Sequence, residues 1–341
     1  MPHVPATVSP RHTRRMRSYR GMSPVTTAAV ALIDRLRVPV EDMSEEQRHE
    51  ARASTHPTRR PFSWVLGGVD RAVGITFGTA PARDGYEIPL RIYRPRAIRD
   101  AQADVPVIVY FHGGGWVLGN VVNYDPLCTH LAAEVGAVVV SVDYRLAPEH
   151  PAPTAALDAV DATTWLAAQS DVLRADAHRM AVCGDSAGAN LAAVVAQVVR
   201  DAGTDWIRHQ ALLYPATDLT MASPSIDEHP NAPILTRDSI LAFRELYAPA
   251  RDFENPLMSP LFGDLAGLPP ALIQTADLDP IRDDGTRYAA ALRSAGVQTR
   301  LTNYLQVPHG FASFPGASAA GRQHRWELVS ELRHHLGTGL A

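Results

Sequence analysis

The sequence predicts an α/β fold with a mostly parallel central sheet, flanked by helices and covered by a helical cap. Three observations carry this prediction. Apolar, β-branched runs of strand length alternate with helical runs from residue 74 onward. Two of those runs end in glycine-rich loops, and parallel sheets bind ligands at such strand ends. Residues 1–60 and 217–256 break the alternation, so we expect them to lie outside the layers of the core.

The sheet is expected to begin with an antiparallel pair, because two strand-like runs flank the turn signal at residues 83–85. The runs that follow are continuously apolar, which is typical of strands buried on both faces. The predicted strands are 74–79, 87–93, 105–111, 137–143, 180–183, 210–214, 271–275 and 299–305. Runs with a 3.6-residue apolar period predict helices at 126–135, 155–168, 189–200, 236–247 and 284–295.

One catalytic domain accommodates the whole chain in this prediction. Residues 1–60 form an N-terminal arm and part of the cap, residues 61–216 the first part of the core, residues 217–256 the cap insertion, and residues 257–341 the second part of the core. An insertion at the carboxyl end of a strand lies over the ligand site. We therefore expect the two interrupting regions to form one cap above that site.

The composition excludes several functional classes. The net charge of -4 and the pI near 6.4 provide no basic field, so nucleic acid is not an expected partner. All 32 cationic side chains are arginines, so the chain has no P-loop lysine, no Schiff-base lysine and no serine–lysine dyad. The two cysteines, Cys128 and Cys183, lie outside any C-x-x-C motif and are expected to be buried thiols.

The sequence predicts no transmembrane segment, because no run approaches the ~18 apolar residues that span a bilayer. The pair Arg14-Arg15 would suit a twin-arginine signal. The apolar cluster at residues 28–32 is short, however, and is followed by Asp34, which indicates an amphipathic helix. We expect a soluble, cytoplasmic protein with a basic N-terminal arm. Its oligomeric state is left open, and a homo-oligomer is compatible with the sequence.

Histidine and glutamate side chains cluster near the C-terminus. We interpret them as the exposed face of an amphipathic helix rather than as a metal site. The residues concerned are His324, Glu327, Glu331, His334 and His335. No H-E-x-x-H motif occurs in the chain, and no metal is expected.

The Gly-Asp-Ser-Ala-Gly motif at residues 184–188 directly follows one predicted strand and precedes a helix. Ser186 would lie on a sharp strand-to-helix turn, where side chains at the flanking positions would collide as strand and helix close together. The first N–H groups of that helix face developing negative charge, which makes Ala187 a candidate oxyanion donor. Ser186 is therefore the candidate nucleophile. The alternative is a tight structural turn with an incidental serine.

The His-Gly-Gly-Gly-Trp sequence at residues 112–116 follows another predicted strand. Glycines let main-chain N–H groups approach a substrate oxygen closely, so Gly113, Gly114 and Gly115 are the other candidate oxyanion donors. A dinucleotide-binding G-x-G-x-x-G loop is excluded, because Leu118 stands where its third glycine would fall. A plain flexible loop is the alternative.

His309 is the candidate general base, since it follows the last predicted strand and allows the chain order serine, acid, histidine. His112 adjoins the glycines and is expected to brace their loop. The acid is open at this point. Asp277 and Asp279 both follow the strand at 271–275, and Asp279 before a proline also suits a helix N-cap.

Residues 100–315 resemble the hormone-sensitive-lipase-like group of α/β-hydrolase carboxylesterases. The matching segments are 112–116 (His-Gly-Gly-Gly-Trp), 143–151 (Asp-Tyr-Arg-Leu-Ala-Pro-Glu-His-Pro), 184–190 (Gly-Asp-Ser-Ala-Gly-Ala-Asn), 279–283 (Asp-Pro-Ile-Arg-Asp) and 309–311 (His-Gly-Phe). The resemblance implies an α/β-hydrolase fold with a helical cap and no cofactor. It implies Ser186 as nucleophile, Asp279 as acid and His309 as base. It also implies that Asp185 supports the site without catalysing.

The implied activity is hydrolysis of short-chain acyl esters through an acyl-enzyme intermediate, with a small-molecule ester as the partner. Trp116, Phe243 and Leu246 are candidate walls of the substrate pocket. Two alternatives stay open: an amidase or formamidase with the same triad, and a non-catalytic ligand-binding member of the fold. Plant hormone receptors of this fold lack the catalytic histidine, whereas His309 is present here.

Overall fold

A central sheet organises the computed structural model, which describes residues 19, 21–57, 60, 62–98, 105–169 and 173–338. The strands are β1 (Val73–Pro81), β2 (Glu87–Pro95), β3 (Pro106–Phe111), β4 (Val138–Val142), β5 (Asp176–Asp185), β6 (Ile207–Leu213), β7 (Ala271–Leu278) and β8 (Thr299–Pro308). Within the described residues they form one eight-stranded sheet in the order β1-β2-β4-β3-β5-β6-β7-β8.

The pairing confirms the predicted antiparallel start and mostly parallel sheet. β2 pairs antiparallel with β1 and β4, whereas the other neighbouring strands are parallel. In the first turn Gly85 has φ 86°, and Ala82 N donates to Tyr86 O at 2.8 Å. Every residue of β3 and β4 is buried, as predicted for strands covered on both faces. β5 begins earlier than predicted, because its first residues are polar and mask the apolar run.

Helices cover both faces of the sheet and extend beyond its edge. They are α1 (Pro24–Leu36), α2 (Glu45–Ala53), α3 (Ser63–Leu66), α4 (Asp125–Val135), α5 (Thr154–Ala167), α6 (Ala187–Asp201), α7 (Ser225–Glu228), α8 (Arg237–Tyr247), α9 (Arg282–Ser294) and α10 (Ala319–Leu336). Alternate residues of β3 face opposite sides. Val107 and Val109 pack with α5 and α6, whereas Ile108 and Tyr110 pack with α4 and α10.

The two regions that interrupt the alternation contact each other. Asp34 Oδ1 in α1 accepts from Ile234 N at 3.0 Å. Ser239 Oγ in α8 donates to Glu41 Oε2 at 2.9 Å. Residues of both regions line a cleft that also contains Ser186.

Helix α10 differs from its sequence-based interpretation. His324 and Glu327 are buried, so this part of the helix is not an exposed polar face. Glu327 Oε2 accepts from Gln274 Nε2 and from Tyr304 OH, each at 2.8 Å. Polar side chains of the strands therefore satisfy the buried carboxylate of Glu327, and apolar periodicity carries no information about such partners.

Several smaller expectations have outcomes as well. The amphipathic helix predicted at residues 28–32 is confirmed as part of α1. Cys128 and Cys183 are buried free thiols, as predicted. The pair Arg14-Arg15 lies outside the described residues. Among the residues that are described, no helix has both the length and the apolar character needed to cross a bilayer.

Candidate active site

Ser186 lies at the sharp turn between β5 and α6. Its backbone has φ 55° and ψ -120°, a strained combination for a residue with a side chain. A Cβ at Gly184 would collide with the backbone of Gly188, and a Cβ at Gly188 would collide with the carbonyl oxygen of Phe111. The close approach of strand, helix and neighbouring loop therefore requires both flanking glycines.

Two hydrogen bonds connect Ser186 to an imidazole and a carboxylate. Ser186 Oγ lies 2.9 Å from His309 Nε2, and His309 Nδ1 lies 2.7 Å from Asp279 Oδ2. Asp279 is fully buried, and its Oδ1 accepts from Ile281 N at 2.9 Å. A carboxylate on Nδ1 keeps the proton on that nitrogen, so the lone pair of Nε2 is directed at the serine hydroxyl.

The other candidate acid, Asp277, has a different environment. Its Oδ2 lies 3.4 Å from Gln306 N at a partly exposed position. Asp279 is also not the N-cap residue of α9, which is Ile281. Of its two carboxylate oxygens, Oδ1 accepts from Ile281 N, and Oδ2 lies beside His309 Nδ1. The structure thus brings Asp279, and not Asp277, to His309.

Tyr214 packs against the same imidazole. The rings of Tyr214 and His309 are 4.8 Å apart between centroids at an interplanar angle of 64°. On its other side Tyr214 meets Phe311 edge-on at 5.6 Å. These contacts hold the ring plane of His309. Sequence reasoning missed Tyr214, and its only signal was its position at the end of a buried strand.

Asp185 connects the serine turn to the glycine loop. Its Oδ1 accepts from Tyr110 OH at 2.8 Å and from Gly113 N at 2.9 Å, and its Oδ2 accepts from Tyr124 OH at 3.0 Å. Burial raises the pKa of the Asp185 carboxyl, and these hydrogen bonds act in the opposite direction. Tyr124 also accepts from Gly113 N at 3.0 Å, a role that no sequence motif indicated.

The N–H groups of the glycine loop divide into two kinds. The N–H of Gly113 is engaged by Asp185 and Tyr124, so it does not face the substrate as the sequence analysis expected. The N–H groups of Gly114, Gly115 and Ala187 have no hydrogen-bond partner within the described part of the chain, and all three residues line the cleft. The difference arises in the backbone, which turns sharply through φ 129° and φ 62° at Gly114 and Gly115.

His112 braces this loop, as expected. Its buried ring stacks on Tyr144 with centroids 4.5 Å apart, and its Nδ1 lies 2.8 Å from Gly113 O. Burial lowers the pKa of His112, so the neutral ring is favoured. His112 therefore supports the loop and does not act as a base.

A cleft of about 1340 Å³, including its open mouth, lies above Ser186. The strand-end loops, the N-terminal region and the insertion all contribute to its lining. Arg244 of α8 adds a cation to this lining, which sequence reasoning missed. Its guanidinium lies 4.3 Å from the centroid of the Phe253 ring, and its Nε has no hydrogen-bond partner among the described residues.

Two of the three predicted wall residues line the cleft. The ring of Phe243 occupies the space that a Cβ at Gly115 would need. Trp116 stacks on Tyr247 with centroids 4.4 Å apart at 6°. Leu246 is not among the described residues that line the cleft and packs against the hydrophobic core, because it lies at the edge of the α8 face that is turned to the cleft.

Comparisons with known proteins identify the family of the chain. The alpha/beta hydrolase fold family matches residues 108–313. The chain is 45% identical over 246 residues to the carboxylesterase NlhH of Mycobacterium tuberculosis, which covers 69% of this chain and 76% of NlhH. It is 36% identical over 276 residues to an ethyl acetate hydrolase of Pseudomonas putida, covering 80% of this chain and 86% of that enzyme.

A solved structure extends the likeness to the whole fold. The hyperthermophilic esterase of the archaeon Pyrobaculum calidifontis matches with a TM-score of 0.81 at 38% identity, over 94% of this chain and 100% of that chain. The resemblance stated from the motifs is confirmed. Because the family match spans more than half of the chain and the relatives align over more than two thirds of it, the chain belongs to the carboxylesterases of the α/β-hydrolase superfamily.

Proposed function

We propose that the chain hydrolyses short-chain acyl esters with Ser186 as nucleophile, His309 as general base and Asp279 as the orienting acid. One observation carries the proposal: hydrogen bonds of 2.7 and 2.9 Å run from Asp279 through both nitrogens of His309 to Ser186. A nucleophile in contact with a base, and a base oriented by a carboxylate, meet the geometric needs of acyl transfer.

Acylation begins when His309 Nε2 takes the proton of Ser186 and Oγ attacks the ester carbonyl carbon. The imidazolium that forms is stabilised by Asp279, which is buried and already bonded to Nδ1. His309 then returns the proton to the departing alcohol, which leaves an acyl group on Ser186. A water molecule releases the acid by the same route, with His309 acting again first as base and then as acid.

The negative charge on the carbonyl oxygen requires nearby donors. We assign this role to the main-chain N–H groups of Gly114, Gly115 and Ala187, which line the cleft beside the nucleophile and have no partner among the described residues. Donors fixed before the reaction stabilise the oxyanion without reorganisation. Gly113 is left out of this set, because its N–H is bonded to Asp185.

The assignment of a short acyl chain is supported by the side chains that line the cleft nearest to the proposed oxyanion donors. Phe243 lies against Gly115, and the buried Trp116 packs flat on Tyr247, so large rings restrict the space beside the loop. The relative named ethyl acetate hydrolase acts on an ester with a two-carbon acyl group.

We further propose that residues 1–60 and 217–256 act together as one cap on a single catalytic domain. Within the described residues, the bonds from Asp34 to Ile234 and from Ser239 to Glu41 join the two regions across about 200 positions of sequence. Both regions contribute side chains to the cleft above Ser186. Changes in either region are therefore expected to alter substrate range.

The test compares p-nitrophenyl acetate, butyrate and octanoate with the matched p-nitroanilides. The expected result is turnover that favours acetate and butyrate, with anilides cleaved far more slowly. Ser186→Ala should lower ester turnover by about 10³-fold or more, since the nucleophile is lost. Ser294→Ala, at an exposed serine near the end of α9, is the matched control and should keep full activity.

Three results would contradict the proposal. Ester turnover that survives Ser186→Ala would exclude the serine mechanism. Anilide cleavage without ester cleavage would favour the amidase alternative. Octanoate hydrolysed faster than acetate would exclude the short-chain assignment while leaving the mechanism intact.

A further inference from the structure

We propose that His209, Glu331 and His335 form a binding site for a divalent transition-metal cation such as Zn²⁺. One ligand atom from each residue lies within 4.8 Å of the others. His209 lies on β6, whereas Glu331 and His335 are four residues apart on α10 and so share one face of that helix. The proposal is independent of the ester chemistry.

His209 is the first reason for this assignment. Its side chain is fully buried, and neither Nδ1 nor Nε2 makes a hydrogen bond of good geometry within the described residues, although the backbone of Pro270 lies close to the ring. A neutral imidazole carries one donor and one acceptor, and buried polar atoms of this kind are nearly always satisfied. A bound cation would use the acceptor nitrogen of this buried ring.

The carboxylate of Glu331 is already oriented for the task. Its Oε1 accepts from Arg300 Nη1 at 2.8 Å, while its Oε2 lies 3.8 Å from His335 Nε2. Arg300 also pairs with Glu327, so its charge is shared between two carboxylates. Outer partners that fix a ligating carboxylate in this way are typical of protein metal sites.

The three ligand atoms must move closer together to bind one ion. Ligands about 2.0–2.1 Å from a tetrahedral zinc ion lie about 3.3 Å from one another, so ligand atoms that lie within 4.8 Å must approach by up to about 1.5 Å. The rings of His209 and His335 are stacked 4.3 Å apart, and His335 must rotate so that its nitrogen points at the shared ion. His335 and Glu331 are 13% and 17% exposed and have room on the outer side to do so. Two histidines and one glutamate leave the fourth position to water.

The site is separate from the catalytic cleft. His209 pairs with Ala181 across β5 and β6, whereas Asp185, next to the nucleophile, pairs with Leu213. Four strand residues correspond to about 13 Å toward the amino end of the sheet. His335 also lines a surface cleft with Arg208, which provides a route of entry.

A second group with metal-ligand spacing is less suited to the role. Glu45, His49 and Glu149 lie close enough together, but all three are on the surface. Glu149 is already paired with Arg52 at 2.9 Å. No buried, unpartnered nitrogen corresponds to His209 in that group.

The test is a Zn²⁺ titration of the metal-free full chain against a chromophoric chelator, repeated with Co²⁺ as a spectroscopic probe. We expect one tight Zn²⁺ per chain, visible Co²⁺ absorption of a four-coordinate site, and a higher Tm with Zn²⁺. Glu331→Gln and His335→Gln should each weaken the affinity at least about tenfold, because loss of a ligand should cost no less than loss of an outer partner, which costs about 10–100-fold. His150→Gln removes an exposed histidine elsewhere and should bind as the parent does.

The helix variants avoid the buried position, so circular dichroism and the metal-free Tm can establish that they are folded. Zn²⁺ affinity unchanged in both folded variants would overturn the proposal, because binding would then lie elsewhere, for example at His309 or at His49. No tight Zn²⁺ binding by the parent chain would overturn it as well. Loss of the Co²⁺ absorption in both helix variants, with the absorption kept in His150→Gln, would support it.

Discussion

Replacing Asp185 tests whether the serine turn and the oxyanion loop are positioned as one unit. In Asp185→Ala the hydroxyls of Tyr110 and Tyr124 lose their acceptor, whereas Gly113 N keeps Tyr124 OH. Each buried donor left unpaired costs about 1–3 kcal/mol. Removing a buried carboxylate, whose ionisation burial opposes, offsets part of this cost. We expect the free energy of unfolding to fall by about 2–4 kcal/mol.

The same substitution should slow catalysis through the loop. Gly114 and Gly115 follow Gly113 directly, and complete loss of one oxyanion donor costs about 10²–10³-fold in kcat. Since the donors in Asp185→Ala are displaced and not removed, we expect kcat to fall by about 10–10²-fold with KM little changed. A fall in kcat at constant KM would show that the loop donors stabilise the transition state more than the bound substrate.

Asp185→Asn is the matched control. Its amide oxygen can still accept from Tyr110 and Gly113, and its amide nitrogen can donate to Tyr124, so kcat should stay within about tenfold of the parent value. The assay is p-nitrophenyl acetate hydrolysis together with urea unfolding. Equal losses in the two variants would refute the hydrogen-bond argument, and full kcat in a stably folded Asp185→Ala would refute the coupling of turn and loop.

Three further substitutions probe separate parts of the molecule. Gly115→Ala should lower kcat/KM by about 10²-fold or more, because its Cβ would collide with the ring of Phe243 and because Gly115 has φ 62°. Phe243→Ala in the same chain should restore part of the lost activity. If it restores none, the collision is not the cause of the loss. Asp279→Asn should lower kcat by about 10³–10⁴-fold by disturbing the imidazole tautomer, whereas Asp277→Asn should be nearly neutral, and the reverse ranking would reassign the acid. Burial, aided by the adjacent arginine, lowers the pKa of His324 to about 3. The stability that neutral His324 contributes is present above the ordinary pKa near 6.5 and is lost as the pH falls toward 3, by up to about 1.4 kcal/mol per pH unit. A folded His324→Gln should therefore show a flatter pH profile of the free energy of unfolding. An unchanged profile would exclude His324 as the cause of the pH dependence.

Part of the site could be predicted from local sequence, because its chemistry imposes local constraints. Ser186 needs glycines two residues away on either side, and His309 needs a place after the last strand. These requirements leave a readable pattern along the chain. The acid leaves none, since Asp277 and Asp279 both come after the strand predicted at 271–275, and only the fold determines which of the two turns inward.

The features that could not be predicted depend on contacts between segments that are distant in sequence. Three consecutive glycines look equivalent in sequence, yet Asp185 engages the N–H of Gly113 from 72 positions away. The polar face of α10 looked exposed in the sequence, because the spacing of apolar residues along a helix does not show which side chains of other segments pack against it. Gln274 and Tyr304, on two different strands, are what make the burial of Glu327 tolerable.

The catalytic and the selective parts of this cleft are held in different ways. Ser186, Asp279 and His309 follow strands of one sheet and are fixed by buried hydrogen bonds, a strained backbone and close glycine contacts. The walls above them come from two regions far apart in sequence, joined through bonds such as that of Asp34 to Ile234. We therefore expect substitutions in the proposed cap to change which ester fits at little cost to the geometry of Ser186, His309 and Asp279, and substitutions at the strand ends to change the rate for every ester. We expect substitutions of Arg244 to change ester selectivity, because Arg244 reaches the cleft from α8 and is bound to none of Ser186, Asp279 and His309.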